Sequence, residues 1–501
     1  MQYSDLLLIS RPIYISSGDC GYCKGKKDDP YALESWFKNR NEQEKKPSSI
    51  TIGFSVERMS CSTYDSLMNI GYRRSGTFLY KPDLLRGCCR LFTIRTNMKS
   101  LKLGKQQRQT INRFMRAIGG GEQIDAGTKN KNSANYSTTT QTTESNLIPV
   151  ALENLFALER NTNEDTFYTR FGPSKFTKEK FLLYKKYQMR VHGDKEEDVS
   201  EGSFKRFLCD TPFSDEEVLG DEDTWNYLNH WNEGDAAYAK KKRIGPTHEC
   251  YYFKGKLIAI SILDFLPSGV SSIYFIWDPD YPQLSLGTLS GLREIYMCEK
   301  LNLGYYYLGY YVDDCVKMKY KKRFGGEVLD IARMEFAPFD KLDSILKGGR
   351  YFTIQSTESE STGEAIKESA IDLDKFPSDF SKSRSQSPIV NDAERVYHPK
   401  SPIFTAAEHS TSKICSQYGV NSNRNAEIYH KIPDVVPGLI PTSQLLAQFE
   451  TDKIYEQSFL MLRNGIVMVP FSRMTGEEKR IIVDCIRLLG LETTLRTIVL
   501  F

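Results

Sequence analysis

Four cysteines near the start of the chain have a spacing that could bind a metal ion. Cys20 and Cys23 form a C-x2-C pair, and Cys88 and Cys89 stand side by side further on. Two thiolates two residues apart can hold one soft metal, and a second pair completes a tetrahedral site. Zinc and an iron–sulfur cluster both accept four thiolates, so spacing alone does not separate them. The alternative is four unrelated core cysteines.

Two adjacent arginines stand between glycines in the segment GYRRSG, and Tyr80 follows shortly after. Arg73 and Arg74 carry planar guanidinium groups, which bind a carboxylate or a phosphate through paired hydrogen bonds. This segment is therefore a candidate binding site for an acidic ligand. The alternative is a solvated basic turn.

The segment HECYY at 248–252 suggests either metal ligation or acid–base chemistry. On a strand, alternation puts His248 and Cys250 on one face and Glu249 on the other. The segment lacks the H-E-x-x-H pattern, which argues against a metalloprotease. A structural strand with one polar face is the alternative.

The turn WDPDY follows an apolar strand and combines two carboxylates, Asp278 and Asp280, with the flanking rings of Trp277 and Tyr281. Carboxylates in such a turn can bind a guanidinium or an amine. A helix expected from Ser285 onward would present its N-terminus nearby, where a phosphate can bind. Because Asp-Pro-Asp favours turns whatever their function, a purely structural turn is the alternative.

Basic residues alternate with aromatic ones in KMKYKKRF at 317–324, and a second basic run, KKKR, occupies 240–243. Lysine and arginine suit a nucleic-acid backbone, while tyrosine and phenylalanine suit an unstacked base. Basic runs are more often solvated faces, so each is weak by itself. The candidate contacts in the first run are Lys317, Lys319, Lys321, Lys322 and Arg323.

The elements that would position these residues form an α/β (α+β) pattern with a largely antiparallel sheet. Acidic blocks at 194–201 and 215–223 are expected to be loops or helix starts. Helices are expected at 178–191, from Ser285 through Tyr296, and at 477–489. Strands are expected at 248–253, 256–265, 271–277, 305–310 and 494–501, with a turn at 267–269.

Composition divides the chain into five parts. They are a cysteine-rich part at 1–118, a Gly/Thr/Asn/Ser-rich linker at 119–147, an α/β domain at 148–350, a loosely ordered segment at 351–400 and a C-terminal part at 401–501 that packs back on the core.

The net charge of +3 over 501 residues is too small for a protein that binds polyanions over its whole surface. Any contact with nucleic acid must therefore be local. No apolar run approaches the roughly 20 residues that span a bilayer, and the first residues do not resemble a signal peptide. We expect a cytoplasmic protein, with the nucleus as a second location and no membrane partner. Its 11 cysteines would be reduced thiols, ligands or core residues.

Several stretches, in this order, resemble the eukaryotic arginyl-tRNA–protein transferase family in its fungal form, and together they cover most of residues 15–330. They are CGYCKG (20–25), GYRRSGTFLYKPD (71–83), CCRLFTIR (88–95), FYTRF (167–171), FKRFLCDTPF (204–213), GPTHECYY (245–252), GKLIAISILDFLPSGVSSIYFIWDPDY (255–281), SLGTLSGLREI (285–295) and YYYLGYYVDDCVKMKYK (305–321).

The resemblance implies an acyltransferase core related to the N-acetyltransferase fold (GNAT/Fem-like) in the 148–350 domain, with acceptor recognition in the 1–118 part. It implies arginyl-tRNA as donor and proteins that begin with Asp, Glu or oxidised Cys as acceptors. The arginylated product would be read by a ubiquitin ligase. It also implies zinc or an iron–sulfur cluster at Cys20, Cys23, Cys88 and Cys89.

A mechanism that fits the residues needs positioning, amine deprotonation and oxyanion stabilisation, because an aminoacyl ester is already activated. Asp278 or Asp280 would bind the arginine guanidinium or take the proton, with His248 and Glu249 as alternative bases. Arg73 and Arg74 would read the acidic side chain of the acceptor. Other substrate contacts would be Tyr80, Trp277 and Tyr281, with Ser285 and the residues of the 317–324 run on the tRNA.

Two alternatives come from other classes. One is an acetyltransferase that uses acetyl-coenzyme A, but the turn LSLGTLS at 284–290 has one glycine where the pyrophosphate loop of such enzymes has two. We therefore expect no coenzyme A. The other is a non-catalytic, zinc-dependent tRNA-binding adaptor, which would need the cysteines and the basic runs but not the WDPDY turn.

Overall fold

The computed structural model describes residues 6–17, 20–24, 49–119, 149–233, 242–347, 351–354, 390–392, 397, 401–422, 428–463 and 465–500. Within these ranges the chain forms a mixed α/β structure with two eight-stranded sheets and one two-stranded sheet. The expected linker at 119–147 and the expected loose segment at 351–400 lie almost wholly outside the described residues.

The strands of the described ranges fall in every part of the chain. They are β1 (Leu7–Ser10), β2 (Ile13–Ser17), β3 (Ser49–Arg58), β4 (Arg73–Ser75), β5 (Phe78–Pro82), β6 (Phe92–Thr96), β7 (Phe167–Pro173), β8 (Gly245–Phe253), β9 (Lys256–Leu266), β10 (Gly269–Trp277), β11 (Tyr305–Tyr311), β12 (Glu327–Asp330), β13 (Glu335–Pro338), β14 (Phe352–Ile354), β15 (Val390–Asp392), β16 (Ser458–Arg463), β17 (Gly465–Pro470) and β18 (Thr497–Leu500).

The helices of the same ranges pack on these sheets or connect their strands. They are α1 (Cys61–Asn69), α2 (Lys105–Ile118), α3 (Val150–Arg160), α4 (Lys178–Tyr187), α5 (Glu201–Phe204), α6 (Asp215–Leu219), α7 (Glu222–Asn229), α8 (Leu286–Lys300), α9 (Val316–Lys319), α10 (Phe339–Lys347), α11 (Pro402–Tyr418), α12 (Thr442–Thr451), α13 (Gly476–Leu489) and α14 (Leu491–Leu495).

The first sheet joins the two ends of the described chain. Its strand order is β17-β16-β18-β1-β3-β5-β4, and β2 pairs with β3 at the side. Strand β18 lies between β16 and β1 and runs parallel to both, with Leu7 opposite Thr497. Apolar residues from both ends therefore share one core, which includes Ile9, Phe54 and Ile482.

The second sheet has the order β13-β12-β6-β11-β10-β9-β8-β7. Strand β6, which precedes the 118 boundary inferred from composition, pairs with β11 and β12 inside this sheet. Helix α8 packs on one face over an apolar core that includes Leu289 and Ile258. Helix α4 packs on β9 and β10 from the other face, over Ile260 and Ile276.

A wedge opens between β10 and β11, the parallel pair of an otherwise antiparallel sheet. The two strands pair over three positions, from Gly269–Tyr305 to Ser271–Tyr307, and β10 then continues beside β9 alone. A Cβ at residue 269 would lie 1.9 Å from the carbonyl oxygen of Tyr305, so glycine is needed for this close approach. Beyond the paired positions, Tyr274 and Phe275 are half-buried and pack against the cores on opposite faces of the sheet.

The structure confirms the expected strands of the central region, with bounds that differ by a few residues. The helix expected at 178–191 ends as α-helix at Tyr187 and continues as a π-turn, Gln188–His192, which stops at Gly193 with a positive φ of 77°. The strand expected at 494–501 is shorter, because Leu491–Leu495 forms a helix before it. Among the described residues, no helix combines the length and the apolar character that crossing a membrane requires.

Candidate functional site

The four predicted metal-binding cysteines come together in space. The sulfur atoms of Cys20, Cys23, Cys88 and Cys89 all lie within 4.8 Å of one another, and Cys23 Sγ is 3.6 Å from Cys88 Sγ. Three of the side chains are buried and Cys23 is half-buried. Hydrogen bonds with the thiols of Cys88 and Cys89 lower the pKa of Cys20.

The spacing of these sulfur atoms fits a single metal ion. A zinc–sulfur bond of about 2.3 Å in a tetrahedral site places neighbouring sulfur atoms about 3.8 Å apart. The Cys23–Cys88 separation of 3.6 Å is of that size, no separation exceeds 4.8 Å, and the donor set consists of four soft thiols. The cluster can therefore bind a metal ion.

The two adjacent arginines of β4 have different environments. Arg74 makes a paired ion pair with Asp264, at 2.6 Å from each nitrogen, and also donates to the carbonyl of Gly76. Arg73 donates through Nη1 to two backbone carbonyls, but its Nε and Nη2 have no hydrogen-bond partner among the described residues. Since Arg73 is only 4% exposed, these two buried donors lack the hydrogen bonds that water would otherwise provide, which is energetically costly.

Aromatic rings surround Arg73. Its guanidinium lies 5.5 Å from the ring centre of Tyr310, and the ring of Tyr80 packs against Tyr310 at 6.1 Å. Burial raises the pKa of Tyr310, and the charges that act on it include those of Arg73 and Tyr22. Tyr22 belongs to the CGYC segment, so the thiol cluster places one of its own residues near Tyr310.

Asp278 and Asp280 contact three cations, each from a different element. Lys186 on α4 binds both carboxylates, at 2.5 Å from Asp280. Lys256 at the start of β9 lies 2.8 Å from Asp278, and Arg190 of the π-turn lies 2.6 Å from Asp280. The π-turn positions Arg190 against Asp280, the carboxylate that Lys186 also contacts. Such turns are frequent at functional sites.

These cations keep both carboxylates ionised. Burial alone would raise the pKa of Asp278, but hydrogen bonds from Lys186 and Lys256 outweigh it and hold the pKa below its ordinary value. The hydrogen bond from Lys186 is the main cause that lowers the pKa of Asp280. A carboxylate with a lowered pKa is a weak base and a good ligand for a cation.

The rings predicted to flank the carboxylates lie beside them. Trp277 contacts the ring of Tyr187 at 6.0 Å, and Tyr281 contacts Phe253 at 6.0 Å. The ammonium of Lys256 also lies 5.3 Å from the ring centre of Tyr281. The WDPDY turn thus forms a polar pocket with aromatic walls.

The basic segment 317–324 divides into outward and inward residues. Lys317, Lys319 and Arg323 are exposed. Lys321 points inward and donates to the carbonyls of Leu308 and Tyr310, both at 2.7 Å. Burial, followed by the nearby charge of Arg73, lowers its pKa to about 7.

The remaining basic candidates are also bound within the protein. Lys322 forms an ion pair with Asp343. Arg243 is 3% exposed and donates to the carbonyls of Ile244 and Pro246, while Lys242 is exposed and donates to the carbonyl of Asn302. The first two residues of the 240–243 run lie outside the described residues.

Two family models match the parts of the chain that contain these clusters. The model described as "Arginine-tRNA-protein transferase, N terminus" matches residues 18–109, and "Arginine-tRNA-protein transferase, C terminus" matches residues 179–330. The arginyl-tRNA–protein transferase 1 of Saccharomyces cerevisiae is 38% identical over 507 aligned positions, which cover 96% of this chain and 95% of the relative. The chain belongs to the arginyl-tRNA–protein transferase family.

More distant relatives align with parts of this chain. The arginyl-tRNA–protein transferase 1 of Drosophila melanogaster is 25% identical and covers 62% of this chain and 78% of its own. An aspartate/glutamate leucyltransferase of Campylobacter jejuni is 45% identical over 71 residues, which are 14% of this chain and 30% of the relative.

His248 lacks the open ring nitrogen that a base requires. It is fully buried, with Nε2 2.9 Å from the carbonyl of Leu208 and 3.0 Å from the hydroxyl of Ser174, and with Nδ1 3.1 Å from Lys180 Nζ. Burial, followed by the charge of Lys180, lowers its pKa to about 3, so the ring stays neutral. Its position indicates a structural role in this transferase family member.

Glu249 lies on the opposite face of β8, as the alternation of the strand predicted. It accepts hydrogen bonds from Arg293 at 3.0 Å and from Tyr251 at 2.9 Å, inside the core under α8. Glu249 is 1% exposed and Arg293 is 2% exposed. Its burial and its two partners keep this carboxylate away from a substrate amine, which indicates a structural role.

Sequence reasoning did not identify a basic face on α2. This helix carries four exposed cations and no acidic residue, which was the available sequence signal. Its first turn contacts the basic segment through Gln106 and Arg323, at 2.6 Å, and Arg113 donates to the hydroxyl of Ser285 at 2.9 Å. The cations are Lys105, Arg108, Arg113 and Arg116.

Proposed function

We propose that this protein transfers arginine from arginyl-tRNA to the α-amino group of proteins that begin with Asp, Glu or oxidised Cys. The product would be recognised by a ubiquitin ligase and degraded. The observation that carries the proposal is the placement of two complementary sites beside one basic segment. The Asp278–Asp280 pair suits a cationic donor side chain, and the unpartnered donors of Arg73 suit an acidic acceptor side chain.

The donor's guanidinium is assigned to Asp278 and Asp280. Both carboxylates are held ionised, and a guanidinium can donate two parallel hydrogen bonds to such groups. Trp277 and Tyr281 supply apolar walls for the methylene chain of the arginine. The lowered pKa values favour this binding role over that of a general base.

The acceptor's acidic side chain is assigned to Arg73, with Tyr80 and Tyr310 as the walls of the pocket. An acidic ligand would satisfy Nε and Nη2 of Arg73, which leaves fewer buried donors without partners. Arg74 has a structural role rather than a binding role, because its paired donors already bind Asp264.

The tRNA acceptor end is assigned to the basic face formed by α2 and the outward residues of the basic segment. We assign Lys317, Lys319, Arg323 and Ser285 to it from the sequence, together with the four cations of α2. Lys321 and Lys322 are instead assigned to support the segment from within. The wedge between β10 and β11 would receive the terminal aminoacyl group.

That wedge also supports an N-acetyltransferase-like (GNAT/Fem-like) core for the second sheet. Its support is a central parallel strand pair that separates after three positions in an otherwise antiparallel sheet. In such a core the acyl donor lies in the gap between the separating strands. Here the flanking groups are cationic and aromatic, which suits the end of a tRNA.

The reaction does not need a strong catalytic base. An α-amino group has an ordinary pKa of about 7.7–8.0, so part of the acceptor is already neutral at physiological pH. The ester of the donor is activated, and holding the two groups together in the correct orientation supplies much of the acceleration. A nucleophilic triad is therefore not required.

Zinc or an iron–sulfur cluster is the metal group proposed for Cys20, Cys23, Cys88 and Cys89. Both groups accept four cysteine thiolates, and the close spacing of the sulfur atoms supports a single zinc ion. When bound, it would cross-link two distant segments of the chain. The CGYC segment would then be held so that Tyr22 stays against the acceptor pocket.

The test is transfer of labelled arginine from arginyl-tRNA to two peptides, one starting with Asp and one with Ala. We expect incorporation into the Asp peptide alone, and Asp278→Asn should reduce it strongly while the protein stays folded. tRNA binding without transfer to either peptide would support the adaptor instead. Acetyl transfer from acetyl-coenzyme A would support the acetyltransferase.

A further inference from the structure

The carboxylate pair of the WDPDY turn is closed by the protein's own cations. Lys186 Nζ binds Asp278 Oδ1 and, at 2.5 Å, Asp280 Oδ2. Lys256 Nζ lies 2.8 Å from Asp278 Oδ2, and Arg190 Nη1 lies 2.6 Å from Asp280 Oδ1. Each of the four carboxylate oxygens thus already contacts a cation, and a substrate cation must displace one of them.

Lys186 occupies the position that a guanidinium needs. Its ammonium contacts both carboxylates, whereas Lys256 and Arg190 each contact one outer oxygen. A planar guanidinium has several N–H groups in a fixed fork and can bridge two carboxylates from that same central position. Lysine offers a single compact ammonium there, so it is the weaker match for the site.

We propose that Lys186 is an internal counter-ion, which holds the guanidinium position of the empty enzyme and is displaced by the arginyl side chain of the donor. This inference rests on the proposed function of Asp278 and Asp280. The Lys186 side chain is 26% exposed, so it can swing toward solvent on its four-carbon stem. It stands in the last turn of α4, where the regular helix gives way to the π-turn.

The exchange conserves charge in the pocket. When one cation replaces another, Asp278 remains paired although it is 1% exposed. A neutral side chain, such as that of leucine, provides no replacement for Lys186, so its entry would leave Asp278 Oδ1 without a cation and Lys256 as the one cation on this buried carboxylate. Lys186 therefore favours cationic donors, and its competition weakens the binding of arginine itself.

If Lys186 competes with the substrate, removing it should strengthen substrate binding, whereas removing an ordinary contact would weaken it. Lys186→Met keeps most of the apolar stem but removes the ammonium. The full-length variant should bind L-argininamide about fivefold more tightly than the wild type, as expected from loss of one partly exposed competing ion pair. Isothermal titration calorimetry measures both dissociation constants directly.

Two matched variants control for side effects. Lys185→Met removes the neighbouring lysine of the same helix, which is 28% exposed and pairs with Glu196, and should leave the argininamide affinity at the wild-type value. Lys186→Arg keeps a competing cation and should not show the gain. An unchanged or weakened affinity in Lys186→Met would overturn the counter-ion role.

A separate variant tests the assumption beneath the proposal. If Asp278→Asn bound L-argininamide as well as the wild type does, the assignment of the guanidinium to this pair would fail. If binding depended on Asp278 but did not tighten in Lys186→Met, the donor site would stand and the internal counter-ion alone would be rejected.

Discussion

Neighbouring residues of one type can have opposite roles when their surroundings differ. Arg73 and Arg74 are both buried on the short strand β4. The guanidinium of Arg74 is occupied by the carboxylate of Asp264, while two donors of Arg73 lack partners among the described residues. This difference in hydrogen bonding is the basis on which ligand recognition is proposed for Arg73 and structural support for Arg74.

Alanine at these two positions should separate the two roles. Arg73→Ala should raise KM for an Asp-starting peptide about tenfold or more, because a charge-assisted hydrogen bond is lost. Its KM for arginyl-tRNA should change little. Steady-state transfer assays in which each substrate is varied in turn measure both values.

Arg74→Ala provides the contrast. It leaves Asp264 as an unpaired buried charge, which should lower the free energy of unfolding by about 3–5 kcal/mol. Urea unfolding measures the loss. If Arg73→Ala destabilised the protein as much as Arg74→Ala and changed KM equally for both substrates, Arg73 would not be the residue that recognises the acceptor.

A buried carboxyl gives the fold a dependence on pH. Burial, followed by the charge of Glu249, raises the pKa of Glu294 to about 8, although Ser261 and Tyr306 hydrogen-bond to it. The folded state therefore holds a proton that the unfolded state releases at its ordinary, lower pKa. This stabilisation is complete at acidic pH and is lost as the pH rises toward about 8.

Glu294→Gln should remove that dependence. We expect the free energy of unfolding of the wild type to fall between pH 5 and pH 8. The loss should be at least about 1 kcal/mol larger in the wild type than in the variant. Urea unfolding at the two pH values measures this. Glu299→Gln changes an exposed carboxylate of the same helix and should keep the wild-type slope. If the free energy of unfolding of Glu294→Gln fell with pH as steeply as that of the wild type, Glu294 would not be the source of the pH dependence.

At the scale of elements, helix α2 and the basic segment form one surface. Hydrogen bonds from Gln107 to the carbonyl of Arg323, and from Arg323 to Gln106, fix the start of α2 against the end of the segment. Arg113 extends the contact to Ser285, beside the WDPDY turn. A phosphate backbone lying along α2 would thus lead toward the donor pocket.

Substitutions on α2 should change the salt dependence of tRNA binding. If Arg108 and Arg113 each contact a phosphate, the double variant to Gln should reduce the slope of log K against log salt by about 0.7–0.9 per contact. Filter binding at several salt concentrations measures the slope. Lys413→Gln, on the exposed face of α11, should leave it unchanged. An unaltered slope in the double variant would exclude α2 from the tRNA interface.

At the scale of the whole molecule, the thiol cluster links separate segments of the chain to one pocket. Cys20 and Cys23 come from one segment, and Cys88 and Cys89 come from the stretch before β6. Tyr22 lies close enough to Tyr80 for the charge of one to affect the pKa of the other. Binding a metal at the cluster would therefore hold the wall of the acceptor pocket.

Loss of the cluster should weaken acceptor binding more than tRNA binding. Cys88→Ser should reduce bound metal in elemental analysis, lower Tm by several degrees and raise KM for the Asp peptide, because a metal ligand contributes to folding. The affinity for tRNA should change less. Cys209→Ser, a half-buried thiol outside the cluster, serves as the control. Unchanged metal content in Cys88→Ser would exclude it as a ligand.

The sequence alone determined the features that depend on local order. Strand-like runs at 248–253 and 256–265 predicted two strands, and the residues Pro267, Ser268 and Gly269 predicted the turn after the second. The cysteine pairs were recognisable because metal binding restricts residue type and spacing. The order of several long motifs along one chain indicated the family without reference to any contact.

Only the tertiary structure decided what each polar group can do. Nothing local distinguishes Arg73 from Arg74, or the inward Lys321 from its outward neighbours, because their partners come from distant strands and loops. Likewise, β18 joins β1 across almost the whole length of the chain. Periodicity records which face of an element is buried, but the partner that a buried charge meets depends on which elements pack together.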